Sequence, residues 1–302
     1  MSFVKVRFWA FLFSALLILA GIVSLAVQGL NLGIDFTGGT IIHLDLKENY
    51  SMGEVRALLA QYDQEGASLQ RVGHNDNGHE LIIKAPHISE AQRLDIINAF
   101  RDSFPAMTAE DVLQVDNVGP VIGKELTREA FLALALAAAG MLLYITIRFE
   151  FKFACSAVLA LLHDVLIIVA FFSFSQWEIN SPFIAAVLTI IGYSINDTIV
   201  IFDRVRENMK RERGRDLREI VDDSISQSLS RCINTSLTTL FVLLSLFVAF
   251  SFFVGGINLK VFALALLIGI VSGTYSSIFI AAPFWYSWKE WEKKRSRGYK
   301  TA

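Results

Sequence analysis

Cysteine is nearly absent from this 302-residue chain, which has two, Cys155 and Cys232. They lie far apart, in or beside apolar segments, with no neighbouring Cys or His at metal-ligand spacing. A disulfide framework and a zinc site are therefore excluded, and both thiols read as small packing residues. The five histidines form no ligand pattern either, so no metal is expected. Enzyme signatures are missing too. "GYSIN" falls short of the G-x-S-x-G nucleophile elbow because position 196 is Asn, and "LHDVL" lacks the H-E-x-x-H zinc ligands. "GIDFTGG" has no Lys-Ser/Thr pair, and the residues after it read as a strand, so it is not a phosphate loop. Neither catalytic residues nor a cofactor are expected.

Charge is also scarce. Only 19% of residues are charged while 54% are hydrophobic, and the mean hydropathy is +0.49, beyond ordinary soluble domains. The charges that exist are segregated. Residues 31–128 hold fifteen acidic and eight basic side chains, whereas Arg204–Arg218 holds seven basic and three acidic ones.

Six apolar segments are long enough to cross the hydrocarbon core as helices, which needs about 20 residues: 8–28, 129–147, 153–174, 183–203, 229–250 and 260–282. The first follows Lys5 and Arg7 as a signal peptide would, but it is too long and "SLAVQG" is a poor cleavage site, so it reads as a retained anchor. Lys and Arg collect at the N-terminus, at Arg148 and Lys152, in a basic loop near 204–228, and in the tail from residue 285. The connectors Ser175–Pro182 and Phe252–Leu259 have none. The positive-inside rule then places both termini in the cytoplasm and residues 31–128 outside, periplasmic in a bacterium with the inner membrane as host.

Residues 31–128 read as strand, helix, strand, strand, helix, strand. "TIIHLDL" alternates, and "SMGEVRALLAQY" opens on a serine cap with Glu54 three residues later. "SLQRVG" and "HELIIKAP" flank a turn at Asn77-Gly78; "SEAQRLDIINAFRDSF" is a second capped helix, and "EDVLQVDNVG" a last strand. That order is a ferredoxin-like α+β domain, a fold that specifies no function by itself. At its entry Asp35 reads as a turn-capping acid, and Gly38-Gly39 as backbone freedom where the first span bends into the first strand.

An ionisable side chain inside a span costs roughly 2.5–3.5 kcal/mol on insertion scales and usually marks a pathway or a partner. His163 and Asp164 fall near the middle of the third span. Asp197 lies in the fourth, and Arg231 begins the fifth. The fourth and fifth spans are antiparallel neighbours, so Asp197 and Arg231 are expected to meet. A polar stripe is expected to line the bundle interior, with Ser194, Asn196 and Thr198 on the fourth span and Gln227, Asn234, Thr235 and Thr238 on the fifth. Asp197, Arg231, Asp164 and His163 are the proton-relay candidates, with Asp164, an unpaired mid-span carboxylate, as the second acid.

The blocks "GIDFTGGT", "VGPVIGKEL" (Val118–Leu126), "LHDVL", "IGYSINDTIVIFDRVREN" (Ile191–Asn208) and "SLSRCINTSLTTL" occur in one order along the chain. As a set they resemble the SecF family, the smaller membrane subunits of the bacterial SecD–SecF protein-export factor; the first block is shared with SecD. The resemblance implies a member of the resistance-nodulation-division superfamily, whose complete units have twelve spans in two six-span halves around a proton path. It further implies SecD as the other half, the SecYEG channel and SecA motor as partners, and unfolded polypeptide handled outside the membrane. The family's intramembrane Asp and Arg map onto Asp197 and Arg231. The expected function is proton-driven assistance to late protein export. Two other classes stay open on the residues: a half-exporter of lipids or small hydrophobic molecules, and a scaffold subunit whose charges only hold helices together.

Overall fold

The computed structural model describes residues 2–72, 78–212, 214–251 and 257–298. The turn expected at Asn77-Gly78 lies partly outside these. Two compact units emerge, one of 32–130 and one built from the remaining helices.

In the smaller unit a four-residue turn, α2 (Ile34–Thr37), leads into β1 (Gly39–Asp45), followed by α3 (Met52–Ala60), β2 (Ser68–Val72), β3 (Glu80–Ala85), α4 (Glu90–Ser103) and β4 (Val112–Val118). The sheet order is β2-β3-β1-β4 and every pairing is antiparallel, which is the ferredoxin-like arrangement. The helix starts are built as the caps require. Ser51 Oγ accepts the Glu54 N–H at 3.1 Å while Glu54 accepts the Ser51 N–H at 3.0 Å, and Ser89 Oγ accepts from Gln92 N at 3.3 Å. Ile42, Leu44, Leu81 and Ile83 of the sheet pack with Val55, Leu59, Ile96 and Phe100 of the helices into one core.

Asp111, just before β4, accepts from the Thr108 hydroxyl at 2.6 Å and the Thr108 N–H at 2.7 Å, with the Lys47 ammonium at 3.2 Å. These hydrogen bonds first, and Lys47 second, hold its carboxyl below the usual carboxylate range. A lowered folded-state value stabilises the fold above the unfolded carboxylate's range and is lost as pH falls through the folded one. In the purified full chain, Asp111→Asn is expected to lower the melting temperature of this unit at neutral pH and to narrow its fall on acidification. An unchanged acid dependence would show that Asp111 contributes nothing.

The larger unit holds α1 (Phe3–Gln28), α5 (Pro120–Arg148, shared with the smaller unit), α6 (Phe151–Ser175), α7 (Ser181–Arg211), α8 (Leu217–Phe250) and α9 (Ile257–Ser276), which continues through a π-turn (Ser277–Ala281) into α10 (Ala282–Gly298). Six of these spans are long and apolar enough to cross a membrane, the last running Asn258–Arg295. α9 is the centre, packing on α6, α7 and α8, while α1 packs on α6. At the end bearing Arg204, Phe153 stacks on the fully buried Trp285 at 4.5 Å and meets Phe202 at 4.6 Å. There Asp222 of α8 caps α1 in trans, accepting from Val4 N at 2.8 Å and Ser2 Oγ at 2.6 Å.

The basic stretch after Arg204 is mostly helical. Arg204–Arg211 prolong α7, where Glu207 pairs with Arg204 and Arg211 at helical spacing, and α8 begins at Leu217, with Arg215 of the connector pairing with Glu212 and Glu219.

Candidate functional site

α7 is capped by Asn180, whose side-chain oxygen accepts the Phe183 N–H at 3.2 Å, with Pro182 in its first turn. Its buried face carries Ser194, Asp197 and Thr198, and Asp197 is only 3% exposed. α8 runs alongside, held by Tyr193 Oη donating to the Thr235 carbonyl at 3.0 Å and by Asn208 Nδ2 donating to Ser224 Oγ at 2.9 Å.

The Asp197 carboxyl faces the Cys232 thiol and the Ser236 hydroxyl of α8, with the Arg231 guanidinium acting on it through its charge. The two residues named from the sequence are thus neighbours, yet they make no contact ion pair. Cys232 is fully buried with its thiol against the Asp197 carboxyl, so it is a partner of the acid as well as a packing residue. A cavity of about 430 Å³, lined in part by Arg148, Asp203, Arg204, Glu207, Gln227 and Arg231, opens on the basic end and reaches Arg231.

The stripe expected to line the interior is divided. Ser194 and Thr198 are buried, but Asn196, Gln227, Arg231, Asn234 and Thr238 are exposed in this chain, and Thr235 is half-buried. The face of α8 turned to its neighbours instead carries Ser224, Ser228, Cys232 and Ser236. Successive helical residues are 100° apart, so a stripe placed one residue off lands on the other side. The exposed face of α7 is small and polar: Ala185, Thr189, Gly192, Asn196 and Asp203.

Asp164 forms a second polar centre. It is wholly buried but not unpaired, contrary to the expectation from sequence. Its Oδ2 accepts from Ser194 Oγ at 2.7 Å and Ser276 Oγ at 2.9 Å, and its Oδ1 from Ser272 Oγ at 2.7 Å, with His163 Nδ1 at 3.1 Å. The donors come from α6 itself, from the next helix α7 and from α9, which sequence order does not place beside either. Ser277 lies 2.8 Å from Thr198 Oγ1, and Thr274 Oγ1 2.6 Å from Ser236 Oγ, so "SGTYSS" of 272–277 carries hydroxyls toward both acids. That cluster of hydroxyls inside an apolar span was the signal available in the sequence; its partners were not.

The glycine pair closes a tight corner within the smaller unit. Gly38 (φ +74) donates its N–H to Ile34 O at 2.8 Å, and Gly39 takes φ +150. A Cβ on Gly38 would meet Pro120 Cα at 2.9 Å, and one on Gly123 would meet Phe36 O at 2.9 Å. The α2 turn is therefore seated on the first residues of α5. Gly33 holds the N-cap position of that turn, and Asp35 lies in its first turn. Gly38→Ala and Gly123→Ala are each expected to destabilise the unit by about 1–3 kcal/mol. Gly119→Ala, with open space around its Cβ, should be silent in the same thermal-unfolding series.

Residues 99–291 match the family model described as protein export membrane protein SecD/SecF, C-terminal, and residues 23–47 match the SecD/SecF GG motif. The chain is 40% identical over 296 residues to a protein translocase subunit SecF from Sebaldella termitidis, covering 97% of this chain and 93% of the relative. It is 38% identical to the protein translocase subunit SecDF of Bacillus subtilis, covering 97% of this chain and 39% of that one. A crystal structure of SecDF, a translocon-associated membrane protein from Thermus thermophilus, superposes with a TM-score of 0.84 at 37% identity, covering 96% of this chain and 39% of that longer one.

Proposed function

The chain belongs to the SecF family of protein translocase subunits, and from that premise we propose that it is one half of a proton-coupled unit that helps polypeptides across the inner membrane. The observation that carries this reading is the exposed polar face of α7 and α8. Arg231, Asn196, Asn234 and Thr238 lie on membrane-length helices and are exposed among the described residues. Lipid cannot cover a guanidinium and two amides without a cost of several kcal/mol. A second helical half can, and small residues such as Ala185, Thr189 and Gly192 let its backbone come close. In the SecDF relatives this chain matches only part of a longer protein, so SecD is the fitting occupant.

The proton is the coupling ion in this reading. The cavity at the basic end, cytoplasmic by the positive-inside rule, brings water to Arg231. Protonating Asp197 removes the charge that attracts Arg231, and α7 and α8 are then free to shift against each other. One charge crossing 100 mV releases about 2.3 kcal/mol, comparable to the gap between two conformers. The periplasmic ferredoxin-like unit would follow through α1 and α5 and hold or pull a polypeptide emerging from SecYEG after SecA has pushed it. The test is proton flux through the reconstituted SecD–SecF pair. Asp197→Asn should abolish it, and unchanged flux would place the relay elsewhere.

A further inference from the structure

Around Asp164 and His163, counting hydrogens fixes how the far nitrogen of the ring, Nε2, is used. The carboxylate takes four donors, two on each oxygen, from Ser194, Ser272, Ser276 and the Nδ1 side of His163. One hydrogen lies between Nδ1 and Oδ1, on the nitrogen when the carboxylate is ionised and on the oxygen when it is neutral. On the other side of the ring, His163 Nε2 lies 3.0 Å from Ser14 Oγ of α1, and Ser14 Oγ lies 3.2 Å from the Tyr275 hydroxyl of α9. Tyr275 has one hydrogen, and it goes to the Ala10 carbonyl at 3.0 Å. Toward Ser14, then, the Tyr275 oxygen can only accept, and the single hydrogen of Ser14 goes there. Ser14 is left as an acceptor facing Nε2. Every link in the chain is directed and filled only when Nε2 also bears a hydrogen.

We propose that His163 is the proton-carrying group of a second proton site, held as an imidazolium by the ionised Asp164, with Ser14 and Tyr275 as positioning residues. Loss of the Nε2 proton turns the Ser14 hydroxyl back to the ring and breaks its link to Tyr275, so the tie between α1 and α9 records the charge of His163. A cavity of about 470 Å³ beside the imidazole, walled by Phe13, Leu17, Ile167 and Val271, gives the ring room to turn. Among the described residues, the titratable groups facing the ring are Asp164 on its own helix and Tyr275 on α9. The α1 face presents Phe13, Ser14 and Leu17, the α8 face Leu240, and Ser194 of α7 faces Asp164. The role in transport rests on the proton-coupled reading above; the protonation state does not.

The experiment is solid-state NMR on the full SecD–SecF pair in lipid vesicles with isotope-labelled histidine, the His163 signals being those lost in His163→Asn. Both ring nitrogens should be protonated at neutral pH in the native pair, and Asp164→Asn should give a neutral ring. Should Asp164→Asn fail to fold, Tyr275→Phe removes the hydroxyl at the end of the chain, which accepts from Ser14 and donates to the Ala10 carbonyl. It should turn the Ser14 hydroxyl back toward the ring and reduce the Nε2–H signal at neutral pH. His163→Asn, which keeps an N–H toward Asp164, should assemble normally and change the pH profile of export. A bare ring nitrogen at neutral pH in the native pair, or an Nε2–H signal unchanged in Tyr275→Phe, overturns the proposal. Asp197→Asn separates the two readings: it should stop proton flux and leave the His163 signals in place.

Discussion

Asp197→Asn is expected to remove proton-driven export while the chain still folds and co-purifies with its six-span partner. The substitution keeps the shape of the side chain and its polar contact with Cys232 and Ser236, and takes away only the titratable charge. Arg231→Met should behave likewise for a different reason. Arg231 makes no contact ion pair in this chain and lies on the exposed face of α8, so its loss leaves no buried partner unsatisfied within the fold. Export in cells depleted of the native subunit, with assembly read by co-purification, measures both. The double exchange Asp197→Arg with Arg231→Asp sharpens the outcome. A scaffold needs only opposite charges and would recover assembly and export together, whereas a relay loses its protonatable group from the water path and stays inactive. Lost assembly in Asp197→Asn would make the pair structural and move the drive to another site.

Filling the open face of α7 should do the opposite and destroy assembly first. Gly192 has nothing within 4 Å of where a Cβ would stand. Gly192→Phe therefore costs this chain little internally, while a ring there keeps a partner helix from packing closely. The chain should remain folded and membrane-inserted, and co-purification with SecD should fall severely. Gly269 is the control on the covered side, because a Cβ there would collide with the Ile190 side chain. Gly269→Ala should weaken the chain itself by about 1–3 kcal/mol, as overpacking does. If Gly192→Phe leaves the pair intact, the partner does not pack on this face of α7.

Both expectations depend on which residues turn inward, and there the sequence was least informative. On α7, Asn196 of the expected stripe is exposed, while Ser194 and Thr198 of the same stripe are buried. The exposure of the stripe from Gln227 to Thr238 was not legible either, because hydrophobic periodicity tells apart the two sides of a helix only when one side meets lipid and the other protein. On α8 only 11% of the most apolar stretch is buried inside this chain, and on α5 only 6%, so neither helix shows a strong contrast between faces. Cys232 gave no sign of its place beside Asp197, since a lone thiol in an apolar run looks the same in any packing.

The amino-acid sequence by itself determined six spans, the separate α+β unit, and the candidacy of Asp197, Arg231, His163 and Asp164. Each comes from a local cost: backbone polar groups must be paired in hydrocarbon, side chains alternate along strands, and buried charge is expensive wherever it occurs. Only the tertiary structure decided that Asp164 is saturated with donors from α6, α7 and α9, that Ser14 and Tyr275 complete a chain from His163, and that the face bearing Arg231 is left open. The physical reason is that a hydrogen bond between helices depends on the rotation and depth of both. Those are set by the packing of every helix in the unit around α9, and no stretch of sequence carries that information locally.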